Sequence, residues 1–363
     1  MKLQIEENIH LSELAKKVKV PVQLIKDSNE GMLANILPSG TELTVPGFKD
    51  NECIGLFPSA VPQKVNKLLV NRKKNYDFHT LEKDLALLTA TYPFIRQQVI
   101  GKSVLEKPIY ELTIGNGSKK IHMNASFHAN EWITSAALMQ FLECYLLALI
   151  QESSIYGISV NQIYENTTLS IVPMVNPDGV NLVHHGVSSN EPNYQELMQM
   201  NGQSNDFSQW KANIRGIDLN NQFPALWEIE KERKEPKSPA PRDYPGDNPL
   251  TEPEAIVMAE LVKKKKFDRL IAFHTQGEEI YWGYLQKEPD EAALIVKEFS
   301  IRSGYKAVQN IDSHAGFRDW FINEWGRAGF TVELGYGVNP LPIEQFESIC
   351  HKGEGIFWAS LYL

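Results

Sequence analysis

The chain has 363 residues, with 36 Lys and Arg against 45 Asp and Glu, a formal net charge of −9. Hydrophobic residues make up 42% and charged residues 22%, which excludes wholesale disorder and leaves enough apolar material for a large core. The acidic balance argues against nucleic acid or an anionic membrane as a partner. Cys53, Cys144 and Cys350 are far apart, so neither a disulfide framework nor a CxxC metal site is expected. The start, MKLQIEENIHLSELAKK, has no apolar run of signal-peptide length. The apolar stretch from Ala136 to Ile150 is interrupted by Gln140 and Glu143 and is short for a bilayer span. A cytoplasmic location is the expectation.

Residues 1–48 read as a separate small α+β unit. Leu11, Leu14, Ala15 and Val18 have helical spacing, with Ser12 near the start. Val22, Leu24 and Ile25 after Pro21 predict a second short helix, and Asn29-Glu30-Gly31 a turn. LPSGTELTVP, Leu37 to Pro46, predicts a turn into a closing strand. This strand–helix–helix–strand order and its ending resemble a LysM module, which implies contact with N-acetylglucosamine polymers in peptidoglycan. A small packing domain is the alternative. Residues 49–75 read as a linker whose basic end, NRKKN at Asn71 to Asn75, is expected to be solvated.

From residue 76 to 363 a single α/β domain is expected. Thr80 is the expected cap of a helix carrying Leu81, Leu85 and Leu88. Strands are predicted at Ile109–Ile114, Lys120–Phe127, Thr168–Val175, Arg269–Phe273, Glu279–Trp282 and Gly329–Leu334. Helices are predicted at Glu131–Gln151, Glu252–Lys266, Ala292–Ser303 and Phe317–Trp325. The alternation implies helices covering a mostly parallel sheet. Two polar stretches, His184–Asp206 and Glu228–Asn248, read as long surface loops of the kind that shape a substrate cleft.

The chemistry concentrates at strand ends. In NASFHANEWIT, Asn124 to Thr134, an apolar strand ends at Phe127 and is followed by His128 and Glu131. Ligands at i and i+3 can converge, and imidazole with carboxylate suits Zn²⁺, whose catalytic sites use three protein ligands. DRLIAFHTQG sets His274 directly after another apolar strand, the edge of a sheet where open α/β folds put their sites. GFTVELG carries Glu333 among Phe330, Val332 and Leu334, where an unpaired carboxylate is expensive and a general base beside a metal-bound water is useful. In WKANIRGIDLNNQFP, Lys211 and Arg215 are cations able to stabilise a tetrahedral oxyanion, and Asn220 and Asn221 offer amides to a substrate carboxylate.

Taken in order, HxxE, NPDG, GIDLN, a strand-end His and TVELG resemble the zinc carboxypeptidase family. The resemblance runs from about Tyr76 to Leu363 and implies a mixed, twisted sheet between helices. It implies one Zn²⁺ on His128, Glu131 and His274, with Glu333 as the catalytic glutamate. Two departures matter. The residue after Trp210 matches the family's oxyanion-stabilising arginine but is Lys211, which keeps the charge and loses the fork, so Arg215 is a candidate to share the role. The family's DLNR arginine, which grips a C-terminal carboxylate, is Asn221 here, and an amide cannot make that charged bidentate grip. Arg318, in AGFRDWF, falls near the family's specificity position and favours an acidic group after the scissile bond. The DLNNQFP form with a LysM-like unit is similar to bacterial gamma-D-glutamyl-L-diamino acid endopeptidases. That implies peptidoglycan peptides containing gamma-D-Glu and meso-diaminopimelate as substrates, in wall recycling or a sporulation compartment. Another zinc peptidase or deacylase specificity, or a noncatalytic peptidoglycan-binding role, is the alternative.

Overall fold

The computed structural model describes residues 1–30, 34–48, 53–55 and 64–363. It opens with β1 (Lys2–Gln4), β2 (Ile9–His10), α1 (Leu11–Val18), α2 (Val22–Asp27), β3 (Ile36–Leu37) and β4 (Glu42–Thr44). Leu11, Leu14, Ala15 and Val18 are buried together, as their spacing requires. Ser12 does not cap α1; it donates its backbone N–H to His10 Nδ1 at 3.3 Å. β1 pairs antiparallel with β4, and β5 (Cys53–Gly55) adds parallel to β1. Asn29 ties α2 to β4 through both the N–H and the carbonyl of Thr44, at 2.6 and 2.7 Å. Gly31, the last residue of the predicted turn, lies outside the described residues.

The expected linker is described in part, and its basic end is exposed at Asn71, Lys73, Lys74 and Asn75 as expected, with Arg72 the exception. Arg72 is fully buried, with Nε 2.7 Å from Asp84 Oδ2 and Nη1 2.5 Å from Glu143 Oε2. Glu143 and Asp84 sit on otherwise apolar helix faces, so the fold brings them a cation in place of water. Asp77, rather than Thr80, caps α3 (Phe78–Thr91): its carboxylate accepts from the Thr80 N–H at 2.8 Å.

The remaining elements begin with β6 (Arg96–Lys102), β7 (Pro108–Ile114), β8 (Lys119–Ala125) and α4 (Ile133–Ile150). A hairpin, β9 (Ser154–Ile155) and β10 (Ile158–Ser159), leads into α5 (Val160–Asn166), β11 (Thr167–Val172) and α6 (Pro177–His185). The two polar stretches read as loops each contain a short helix, α7 (Tyr194–Met200) and α8 (Trp227–Arg233). Then come α9 (Pro253–Lys265), β12 (Arg269–His274), β13 (Glu279–Trp282), α10 (Glu291–Ser303), β14 (Lys306–Gln309), α11 (Phe317–Trp325), β15 (Ala328–Glu333) and α12 (Phe346–Tyr362).

Among the described residues, eight of these strands form one sheet in the order β14-β13-β15-β12-β8-β11-β7-β6. The central four, β15, β12, β8 and β11, run parallel. β13 and β7 flank them antiparallel, so the sheet is mixed rather than mostly parallel. Burial on both faces explains the near-continuous apolar runs of the central strands. α4, extended by a 3₁₀ turn at Ala129–Glu131, is by length and composition long enough to cross a membrane. It is instead a core helix, with 83% of its most apolar window buried, packed against β8 and α12. The parallel strands all end on one side of the sheet, and the site is built there.

Candidate active site

β8 ends at Ala125, and the chain turns through Ser126, which has φ 49°. Ser126 is fixed by its N–H to Thr134 Oγ1 at 3.0 Å and its Oγ to Ser135 Oγ at 2.7 Å. This turn throws His128 and the 3₁₀ residue Glu131 to the sheet's end. His274 is the last residue of β12, and the parallel register sets it beside Glu333, the last residue of β15. The three predicted ligands meet: His128 Nδ1 is 2.8 Å from Glu131 Oε1, and His274 Nδ1 is 3.0 Å from Glu131 Oε2. The two Nδ1 atoms are 3.1 Å apart, and the three residues are almost fully buried.

Two imidazole nitrogens aimed at one another and at a carboxylate make a poor hydrogen-bond arrangement and a good cation cage. Two histidines and one acid are a donor set for Zn²⁺. The outer shell fits the same reading. His128 Nε2 lies 3.2 Å from Asp218 Oδ1, a carboxylate behind a ligating imidazole. Glu131 also accepts from the Thr275 N–H and from Asn339 Nδ2, each at 3.3 Å. Asn339 is in turn held by Thr275, through its carbonyl at 2.9 Å and its hydroxyl at 2.8 Å.

Burial disfavours charge on His128, yet Glu131 and Asp218 raise it to about 9. Burial opposes ionisation of Glu131 as well, and the two histidines overcome it, holding the carboxyl at about 2. Both shifts have one cause, a carboxylate packed against two imidazoles, and both mark this point as one that favours positive charge. Burial, with Glu131 adding to it, pushes Glu333 up to about 8.

Lys211 stands in this cleft, with Nζ 2.8 Å from Asp218 Oδ2 and 3.1 Å from Asp243 Oδ1. Burial works against its charge, but the two carboxylates more than compensate and keep it firmly protonated. Its backbone is clamped at both ends: the Ala129 N–H donates to Lys211 O at 3.0 Å, and the Lys211 N–H to Pro241 O at 2.8 Å. A cleft of about 330 Å³ opens over these groups, lined by His128, Glu131, Lys211, Arg242, Tyr281, Glu333 and Asn339 among others.

Not every expected residue comes to the cleft. Arg215 lies apart from Lys211: it is half exposed, reaches toward Glu252 at 3.5 Å, and borders a different groove with Leu105 and Met200. The turn at Gly216, with φ 73°, directs it away. Asn220 and Asn221 are partly engaged by the protein. Asn220 Oδ1 accepts from the Phe317 N–H at 3.1 Å, and Asn221 Nδ2 donates to Asn220 O at 3.1 Å. Asn221 Oδ1 is buried without a partner among the described residues. Arg318 is buried against Asp319, to which Nε donates at 2.9 Å, and its Nη1 is likewise without a partner among the described residues. Asp218, Thr275, Arg242, Asp243 and Asn339 escaped the sequence reading. Asp218 stood inside the GIDLN motif and Thr275 directly after His274 in DRLIAFHTQG, while the others come from loops whose course only folding fixes.

A two-histidine, one-glutamate cage at the ends of parallel strands, facing a second glutamate, defines a zinc metallopeptidase. The chain belongs to the zinc carboxypeptidase family, whose model matches residues 81–353. It is 47% identical over 379 residues to Gamma-D-glutamyl-L-diamino acid endopeptidase 1 of Lysinibacillus sphaericus, covering 95% of this chain and 96% of that protein. It is 43% identical over 376 residues to the uncharacterized protein YqgT of Bacillus subtilis, covering 100% of this chain and 98% of that protein. Among solved structures, thrombin-activatable fibrinolysis inhibitor matches with a TM-score of 0.62 at 18% identity, over 80% of this chain and 74% of that one. This last likeness bears on the fold alone.

Proposed function

We propose that this enzyme hydrolyses the amide between a gamma-D-glutamyl residue and meso-diaminopimelate in peptidoglycan peptides. The observation that carries the reading is the buried His128–Glu131–His274 cage with Glu333 lining the same cleft. The substrate class is supported by near full-length similarity to a gamma-D-glutamyl-L-diamino acid endopeptidase. It is further supported by Asn221, which offers no charged grip for an ordinary C-terminal carboxylate, and by the unpartnered Nη1 of Arg318, suited to an extra carboxylate on the leaving residue.

Zinc bound at the cage supplies Lewis acidity toward the scissile carbonyl and acidifies a water. Glu333 accepts the proton of the attacking water and passes it to the departing amine. A carboxyl raised by burial is suited to carrying a proton between those steps. Lys211, kept protonated by Asp218 and Asp243, stabilises the oxyanion. Asp218 also orients His128.

We read residues 1–48 as a LysM-like unit that contacts glycan. Its two helices flanked on each side by short strands, and the antiparallel β1–β4 pairing, support this. Binding of the whole protein to purified sacculi, competed with N-acetylglucosamine oligomers, tests it; binding insensitive to the oligomers would sink it.

The central experiment is digestion of L-Ala-gamma-D-Glu-meso-diaminopimelate peptides with mass analysis of the fragments. Release of L-Ala-D-Glu is expected. Release only of C-terminal residues from ordinary peptides would overturn the substrate reading.

A further inference from the structure

We infer that Arg242 binds the free α-carboxylate of the D-glutamyl residue, on the acyl side of the scissile bond, and so selects isoglutamyl over ordinary peptide linkages. The inference rests on the gamma-D-glutamyl substrate proposed above.

A line of alternating charge leads outward from the metal cage. His128 Nε2 meets Asp218 Oδ1 at 3.2 Å, and Asp218 Oδ2 meets Lys211 Nζ at 2.8 Å. Lys211 Nζ meets Asp243 Oδ1 at 3.1 Å, and Asp243 Oδ2 meets Arg242 Nε at 2.8 Å. Every inner member is engaged on both sides. Arg242 ends the line at the mouth of the cleft, 58% exposed. Only its Nε is bonded among the described residues, which leaves the Nη1 and Nη2 edge of the fork for a ligand.

The position of Arg242 is determined rather than incidental. The preceding Pro241 carbonyl accepts from the N–H groups of both Lys211 and Ala212, at 2.8 and 2.9 Å. The following Asp243 is held at φ 66°, a conformation rare for a residue with a side chain, and keeps both carboxylate oxygens occupied. The loop is thus pinned to the segment carrying Lys211, on the flank of His128.

The two uncommitted guanidinium edges differ in kind. That of Arg318, reduced to Nη1, is buried on α11, where Nε and Nη2 both bond Asp319. That of Arg242 is at the rim, on the Lys211 flank. A gamma-D-glutamyl–diaminopimelate amide carries anionic charge on both sides of the bond that breaks. The leaving residue brings carboxylates of its own. On the acyl side, linkage through the side-chain carboxyl leaves the α-carboxylate free, a few bonds from the reacting carbonyl. An ordinary α-linked residue has no such group there unless its own side chain is acidic, so an acyl-side arginine favours the isoglutamyl linkage over neutral α-linked residues. A planar fork on a carboxylate also fixes orientation, which a lysine at the same place would do less well.

The test uses three peptides with the whole zinc-loaded enzyme. One has a free D-glutamyl α-carboxyl, the second has it as the carboxamide, and the third has the α-carboxyl of the leaving residue amidated instead. The wild type is expected to prefer the first over the second by about 10–100-fold in kcat/KM, the range for one charge-assisted contact at a partly exposed site. Arg242→Ala should bring that ratio close to one, and Arg242→Lys should keep part of it. Discrimination against the third peptide should be the same in wild type and variants. Zinc stoichiometry and Tm, measured alongside, verify that the variants are folded. A wild type that cleaves the first peptide while Arg242→Ala retains its preference over the second overturns the inference. So does a loss that follows the leaving residue's carboxyl. A wild type that cleaves none of the three fails the substrate reading itself, before any variant is made.

Discussion

Asp218→Ala should weaken zinc binding while leaving all three ligands in place. The carboxylate faces His128 Nε2 at 3.2 Å through one oxygen and Lys211 Nζ at 2.8 Å through the other. Removing it takes away the partner that fixes the tautomer presenting Nδ1 to the cage, together with the negative charge that supports a cation there. Losses of this kind in an outer shell lower metal affinity about 10–100-fold, or about 1.4–2.7 kcal/mol. Lys211 keeps Asp243 at 3.1 Å, so its charge is not stranded. Turnover at saturating zinc should also fall, because Lys211 loses its closer anchor. Competition with a chromophoric chelator gives the zinc Kd, and circular dichroism verifies the fold. A folded variant with an unchanged Kd and unchanged kcat would refute the assignment of Asp218 as the group that orients both His128 and Lys211.

Glu333→Gln should keep stoichiometric zinc and lower kcat by about 10²–10⁴-fold, the range for a general acid–base residue; elemental analysis beside rate measurement checks it, and retained turnover contradicts the role. Lys211→Met should lower kcat by about 10²-fold or more, whereas Arg215→Ala should change it less than about twofold, since Arg215 lies outside the cleft. Arg72→Met leaves Glu143 and Asp84 buried without their cation and should destabilise the protein by about 3–5 kcal/mol in urea unfolding, with little effect on zinc stoichiometry. His122, buried under Phe267 and beside Ser170, is pushed down to about 3 by its burial. Between there and the ordinary histidine value of about 6.5, the unfolded chain binds a proton that the folded one does not. Stability should therefore fall on acidification, with this one group contributing up to about 1.4 kcal/mol per pH unit in that window. Comparing the pH dependence of unfolding in wild type and His122→Asn isolates the contribution; parallel profiles would exclude it.

The sequence by itself determined the elements whose environment is uniform along their length. The central strands are buried on both faces, so their apolar runs declare them, and the ligand and base residues stand where those runs stop. That is why His128, Glu131, His274 and Glu333 were legible and why they meet. Edge strands were not legible: β6 and β14 are polar and largely exposed, and their pairing rests on backbone hydrogen bonds that carry no side-chain pattern. The tertiary structure alone decided which cations reach the cleft. Lys211, Arg215 and Arg242 are all basic residues in polar loops, alike on paper. Turns at Gly216 and Asp243, and carboxylates brought from distant segments, leave Arg215 at a different groove, hold Lys211 inside the cleft and set Arg242 at its mouth. The same holds for Arg72, the one residue of an otherwise exposed basic run that is drawn inside, by two buried acids. Local patterning fixes secondary structure because it reports burial. The destination of a charge depends on which counter-charges the fold brings within a few ångströms, and that is a property of chain crossings rather than of neighbours in sequence.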